Sequence, residues 1–273
     1  MRGMKSGQGG RWTPSVGIKA SVGLHAAAAG LALWRPEDWP WALGAVAVNH
    51  ILLTAAGLWP HSRVLGPIIT RLPEEAAARG EVAITVDDGP DPEVTPQVLA
   101  ILEAYGAKAT FFCIGRKVRE HAVLCAEIAA RGHALENHSY SHSHTFSLCG
   151  QRGFERELRL AQEALTAACG TPPRFFRAPA GLRNPLLDPV LARLDLSLVS
   201  WTRRGFDTRR RRPQSVLASL TRQLRAGDIL LLHDGNAART DGGCAVILEV
   251  LPPLLDAIRE RRLEPVTLRT ACP

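Results

Sequence analysis

The chain has 273 residues, of which 46 % are hydrophobic and 22 % charged, proportions that exclude a disordered chain, since disorder needs low hydrophobicity and high charge. That length suits one medium-sized domain of about 100 to 200 residues plus an additional element. The formal net charge is +7, with six arginines packed between Arg203 and Arg212. No zinc-finger spacing or other nucleic-acid motif accompanies this excess, so nucleic acid is set aside as a partner.

The first eighty residues contain two apolar stretches and few acidic side chains, among them Glu37, Asp38, Glu74 and Glu75. The first stretch runs from about Ala20 to Trp34 and is interrupted by His25. The second, Trp39 to Trp59, is long enough as a helix to cross roughly 30 Å of hydrocarbon. Arg35-Pro36-Glu37-Asp38 separates them, and its proline would stop a helix. Trp34, Trp39, Trp41 and Trp59 lie near the segment ends, as interfacial tryptophans do. Arg2, Lys5, Arg11 and Lys19 precede the pair and Arg63 and Arg71 follow it. The positive-inside rule then predicts a membrane hairpin, helices about 17–34 and 39–59, with both ends in the cytoplasm. The rival readings are two helices buried against a soluble domain, or a cleaved signal peptide.

The expected organisation is an anchor over 1–72, a linker over 73–80 and a second domain over 81–273. In the last, β-type runs (Val82 to Val86, Leu196 to Ser200, Asp228 to Leu232) alternate with helical patterns over Pro96 to Tyr105, Val118 to Arg131, Phe154 to Ala168 and Ser215 to Ala226. Such alternation predicts an α/β fold on a parallel sheet, open or closed into a barrel. Six scattered cysteines form no C-x-x-C pair, which fits free thiols, although an even count leaves disulfides open.

Polar residues collect after the predicted strand ends, where parallel α/β folds place their chemistry. Asp87-Asp88-Gly89-Pro90 is the first such cluster; two adjacent carboxylates on a strand face different ways and suit different tasks, or they simply make a turn. His138 and His142, four apart, can point to one side of a helical turn, and neutral imidazoles at that spacing are common metal ligands. His144 competes as a partner but fits one face less well. Phe176-Arg177-Ala178-Pro179-Ala180-Gly181 and Leu230-Leu231-Leu232-His233-Asp234 complete the set, His233 being a candidate for proton transfer.

Thr85 to Pro90, His138 to His142, Arg177 to Gly181 and Leu230 to His233 together resemble, in order and spacing, the successive motifs of the polysaccharide deacetylase family (NodB homology, carbohydrate esterase family 4). The resemblance covers about Glu81 to Thr270. It implies a distorted (β/α) barrel, here preceded by the helical hydrophobic hairpin, and a metal-dependent hydrolase removing an N-acetyl group from an amino sugar. Asp88, His138 and His142 would bind a divalent metal, usually zinc, with cobalt, nickel and iron suited to the same donors. Asp87 would be the base, Arg177 its orienting partner, His233 the acid for the leaving amine, and the Ala180 N–H an oxyanion donor, while Trp201 and Leu232 would line the acyl pocket.

Two positions depart from the family pattern. Ala180 replaces a frequent aromatic residue, which removes a wall of the sugar site. In Trp201 to Thr208, Arg204 stands where an aspartate is usual and Thr208 where a tryptophan is. Asp207 remains and would pair with Arg177. The hairpin, its orientation and the arginines at 203, 204 and 209–212 together suggest a sugar on a phosphate-bearing lipid or nucleotide carrier. Relatives that remove formyl groups or open cyclic amides, and a catalytically silent sugar-binding module, are the alternatives.

Overall fold

The computed structural model describes residues 12–273; the charges expected at Arg2, Lys5 and Arg11 lie outside them. In chain order the helices are α1 (Val16–Trp34), α2 (Trp39–Leu58), α3 (Glu74–Ala78), α4 (Thr95–Ala104), α5 (Gly115–Glu120), α6 (Ala122–Ala130), α7 (Gln151–Cys169), α8 (Leu187–Arg193), α9 (Pro213–Thr221), α10 (Val246–Glu260) and α11 (Leu268–Ala271). The strands are β1 (Glu81–Asp87), β2 (Ala109–Cys113), β3 (Ala134–Asn137), β4 (Phe175–Phe176), β5 (Ser197–Leu198), β6 (Arg203–Arg204), β7 (Ile229–His233) and β8 (Glu264–Pro265). The described residues fall into two compact units: 12–68 with 143–155 and 178–198, and 69–142 with 156–177 and 199–273.

In the first unit α1 and α2 form the expected helical hairpin. Ser15 caps α1 by accepting the Ile18 N–H, and a short 3-10 turn at Pro36–Asp38 separates the helices. Both are long and apolar enough to cross a membrane. They are not buried core helices: Leu33, Trp34, Trp41, Ile51, Leu52 and Trp59 stay exposed. Polar contacts join the two, Asn49 Nδ2 donating to Ser21 Oγ (2.9 Å) and the His25 and His50 Nε2 atoms lying 3.3 Å apart. The later segments of this unit return to the hairpin base, where Arg183 donates to the Ser62 carbonyl and the Trp12 indole to Asp188.

The second unit is built on a parallel sheet ordered β4-β3-β2-β1-β7-β6, with β8 beside the start of β1. Strand parity divides β1. Val82, Ile84 and Val86 enter a core with α4 and α10, as do Leu230 and Leu232 of β7, whereas Ala83, Thr85 and Asp87 face the other way. Every residue of β1 is buried, as expected of a central parallel strand. The helical pattern over 118–131 is two helices, because the backbone breaks at His121 (φ −129°, ψ 44°). Stretch 73–80 carries α3, with Ala76 buried. All six cysteines are free.

Candidate metal centre and active site

Asp87 ends β1 in register with His233 of β7, and at Asp88 the backbone turns into the left-handed region (φ 74°). This turn separates the two carboxylates. Asp88 Oδ1 lies 3.1 Å from His138 Nε2 and 3.1 Å from His142 Nε2, yet it is buried and makes no hydrogen bond. A buried polar atom left without a partner demands an explanation. One carboxylate and two imidazole nitrogens, all within 4.8 Å of one another, are the donor set of a divalent-metal centre. His144 is not in this group.

The donors are held from behind. His138 Nδ1 lies 2.8 Å from the Arg177 carbonyl; because a carbonyl only accepts, Nδ1 carries the hydrogen and Nε2 presents its lone pair. Asn236 Nδ2 donates to Asp88 Oδ2 (2.9 Å) and Lys117 Nζ to the Asp88 carbonyl (2.9 Å). Gly235 permits that approach, since a Cβ there would sit 2.1 Å from the Asp88 carbonyl oxygen. Burial opposes charge on Asp88, but the His138 and His142 rings beside it hold its carboxyl well below the usual range.

His142 reaches the site by a route other than the expected helical turn. Ser139 (φ 63°) and His142 (φ 52°) are both left-handed, which no continuing helix allows. Glu157 of α7 fixes the loop by accepting the N–H groups of Tyr140 and Ser141 and the Ser141 hydroxyl (3.2, 2.8 and 2.9 Å). Asn137 accepts the Ser139 N–H, and the Ser139 hydroxyl accepts that of His142.

Arg177, 1 % exposed, donates through Nη1 to Asp87 Oδ1 (2.6 Å) and Thr85 Oγ1 (2.8 Å), and through Nη2 to the Ser200 carbonyl (2.8 Å). Its guanidinium stacks 4.2 Å from the Phe112 ring centre. Asp87 is thereby aimed with Oδ2 3.8 Å from His138 Nε2. The expected partnership of Asp207 with Arg177 does not form. Asp207 faces β7 instead, where its two oxygens take the His233 backbone N–H (2.7 Å) and Nδ1–H (2.9 Å). Burial works against a charged His233, but Asp207, with Asp87 and Asp88 adding to it, outweighs burial and raises the imidazole pKa to about 9.

Leu232 is a second correction. It packs in the helix-side core, because alternate residues of a strand face opposite sides. Leu231, the register partner of Thr85, shares the face of Asp87 and His233 and takes the place expected of Leu232. Trp201 is buried, its ring centre 6.0 Å from the Arg177 guanidinium. Ala180 belongs to the other compact unit, in a turn where its φ is 54°.

Asn236, Lys117 and Glu157 had not been singled out from the sequence. Asn236 follows the β7 motif by three residues and was within reach of the strand-end reasoning. Glu157 was not, being one of several glutamates on an amphipathic helix.

The family model for polysaccharide deacetylase matches residues 74–199. A chitooligosaccharide deacetylase of Azorhizobium caulinodans is 35 % identical over 190 residues, covering 67 % of this chain and 90 % of that protein. The chain belongs to the polysaccharide deacetylase family. A peptidoglycan-N-acetylglucosamine deacetylase of Bacillus cereus is 31 % identical over 185 residues, or 63 % of this chain and 81 % of that one. In fold, this polysaccharide deacetylase matches a CE4-family pseudoenzyme from Bacillus anthracis with a TM-score of 0.67 at 22 % identity, over 76 % of this chain and 69 % of the other. The distorted barrel of parallel strands and helices is therefore that of the family. As a member it is a metal-dependent hydrolase of carbon–nitrogen bonds other than peptide bonds, removing N-acetyl groups from amino sugars.

Proposed function

We propose that this deacetylase is anchored in a membrane by α1 and α2, faces the cytoplasm, uses zinc, and acts on an N-acetylglucosamine-type unit carried on a phosphate-bearing lipid or nucleotide. The observation that carries the catalytic reading is the orphaned Asp88 Oδ1 facing two imidazole nitrogens, beside an arginine-held Asp87. The relatives named for chitooligosaccharide and peptidoglycan N-acetylglucosamine support the sugar. The exposed apolar helices and the basic residues at their flanks support the anchor and its orientation. In this division 1–72 is the anchor, 73–80 the linker and 81–273 the catalytic domain.

Asp88, His138 and His142 would hold the divalent metal, which when bound would supply Lewis acidity toward the acyl carbonyl and lower the pKa of water. Asp87 takes the proton from the attacking water, and Arg177 keeps its carboxylate oriented. His233 enters as the imidazolium, made stable by Asp207, and gives its proton to the departing nitrogen. The Ala180 N–H donates to the oxyanion as charge develops. Trp201 and Leu231 wall the acyl methyl.

Acetate release by the full chain in detergent, stripped of metal and then given zinc or cobalt, tests this reading with Asp87→Asn as control. Metal-dependent release that the substitution abolishes supports it. Release of formate alone from matched formyl and acetyl sugars would favour the deformylase alternative, and no metal binding would sink the hydrolase mechanism. Protease protection in inverted vesicles tests the orientation: a cytoplasmic catalytic domain is cleaved there.

A further inference from the structure

Arg204 is the register partner of Leu231 in the parallel β6–β7 pair, so its side chain leaves the sheet on the face that carries Asp87 and His233. Its guanidinium lies 5.3 Å from the Trp201 ring centre and 5.0 Å from that of Phe206, which is 44 % exposed. The same Trp201 ring is 6.0 Å from the guanidinium of Arg177, which holds Asp87. Arg204 is therefore separated by one aromatic side chain from Arg177, the residue that holds the catalytic carboxylate.

Three of the neighbouring arginines are committed elsewhere. Arg203 pairs with Asp228 (3.1 Å) and donates to the Gln223 carbonyl; Arg210 donates to Ser215 and Ser219, and Arg211 to the Arg239 carbonyl. Arg204 has no such commitment: its Nε is buried without a partner, and among the described residues no carboxylate lies within ion-pair distance of it. A half-buried cation without a counter-ion is unfavourable, and stacking on aromatic faces offsets only part of that. A planar guanidinium with two aromatic rings beside it and no counter-ion offers its fork to the two-oxygen edge of a phosphate or carboxylate.

We propose that Arg204 binds an oxyanion on the substrate, a phosphate or a carboxylate, and so makes this enzyme selective for an anionic amino sugar over a neutral one. The proposal rests on the deacetylase reading above and moves the anion-recognising role from the arginine run as a whole to one residue on the catalytic face.

The test compares the zinc-loaded full chain with Arg204→Gln and Arg204→Lys on N-acetylglucosamine 1-phosphate, N-acetylmuramic acid and neutral tri-N-acetylchitotriose. The wild type should favour at least one anionic sugar. Arg204→Gln should raise KM for it tenfold or more with kcat little changed, leave the neutral sugar within about twofold, and be partly rescued by Arg204→Lys. The phosphate and carboxylate sugars tell which oxyanion is read. Equal losses on charged and neutral sugars would reduce Arg204 to a support for Trp201 and overturn the proposal, as would a wild type indifferent to charge. Calorimetric binding of the same sugars to the metal-free full chain reads Arg204 without turnover: loss of anion-dependent affinity in Arg204→Gln sustains the proposal even if no acetate is released, and unchanged affinity overturns it.

Discussion

Asp207 grips His233 twice, taking its backbone N–H at 2.7 Å and its ring Nδ1–H at 2.9 Å. One side chain thus fixes both where the imidazole sits and how strongly it holds its proton. Because the folded pKa is raised to about 9 from an ordinary value of 6.5, the imidazolium is the resting form at neutral pH and is lost as pH rises through 9. The alkaline limb of kcat/KM should therefore fall near pH 9. In Asp207→Asn the limb should move from pH 9 toward lower pH, cutting activity at pH 8, by up to about thirty-fold if the pKa returns fully to its ordinary value. An unmoved limb would remove His233 from the acid role.

Metal and fold should be linked through Asp88. A metal bound to the native state and not to the unfolded chain adds about 4 kcal/mol of stability at a thousandfold excess over Kd. Chelation should lower Tm for the wild type and leave Asp88→Ala unchanged. Asn236→Ala, which frees Asp88 Oδ2, should weaken metal affinity by about 10- to 100-fold without abolishing it. Competition against a chromogenic chelator measures both.

Arg177→Met should be costly in two ways. It leaves Asp87 buried without its cation, a loss of about 3–5 kcal/mol in urea unfolding, and it abolishes turnover by releasing the base. Arg177→Lys should recover part of the stability but less of the activity, since one ammonium cannot reach Asp87, Thr85 and the Ser200 carbonyl together.

Leu231 and Leu232 should separate chemistry from packing. Leu232→Ala cuts into the helix-side core and should cost about 2–5 kcal/mol with the acyl preference unchanged. Leu231→Ala should widen the acyl pocket and raise the propionyl-to-acetyl rate ratio. The opposite assignment would return the pocket wall to Leu232.

The hairpin, the alternating elements and the four strand-end motifs were legible in the sequence, because each depends on local periodicity or on a strand ending in polar residues. The candidate donor set Asp88, His138 and His142 came from the resemblance to the family; by themselves the residues pointed to the spaced histidine pair and left open which of Asp87 and Asp88 would face it. Side-chain direction and partner choice were not legible. Asp207 turned out to serve His233 and not Arg177 because β6 lies beside β7 in the sheet, a neighbour relation between segments far apart in sequence. Leu231 and not Leu232 faces the site because strand parity is set by the pairing of β1 with β7. His138 and His142 converge through two left-handed residues and a loop held by Glu157. Composition and periodicity thus determined what elements and chemistry the chain carries. Which groups meet was decided only by the tertiary structure, because hydrogen bonds and ion pairs act over a few ångströms between residues that the sheet, and not the chain, brings together.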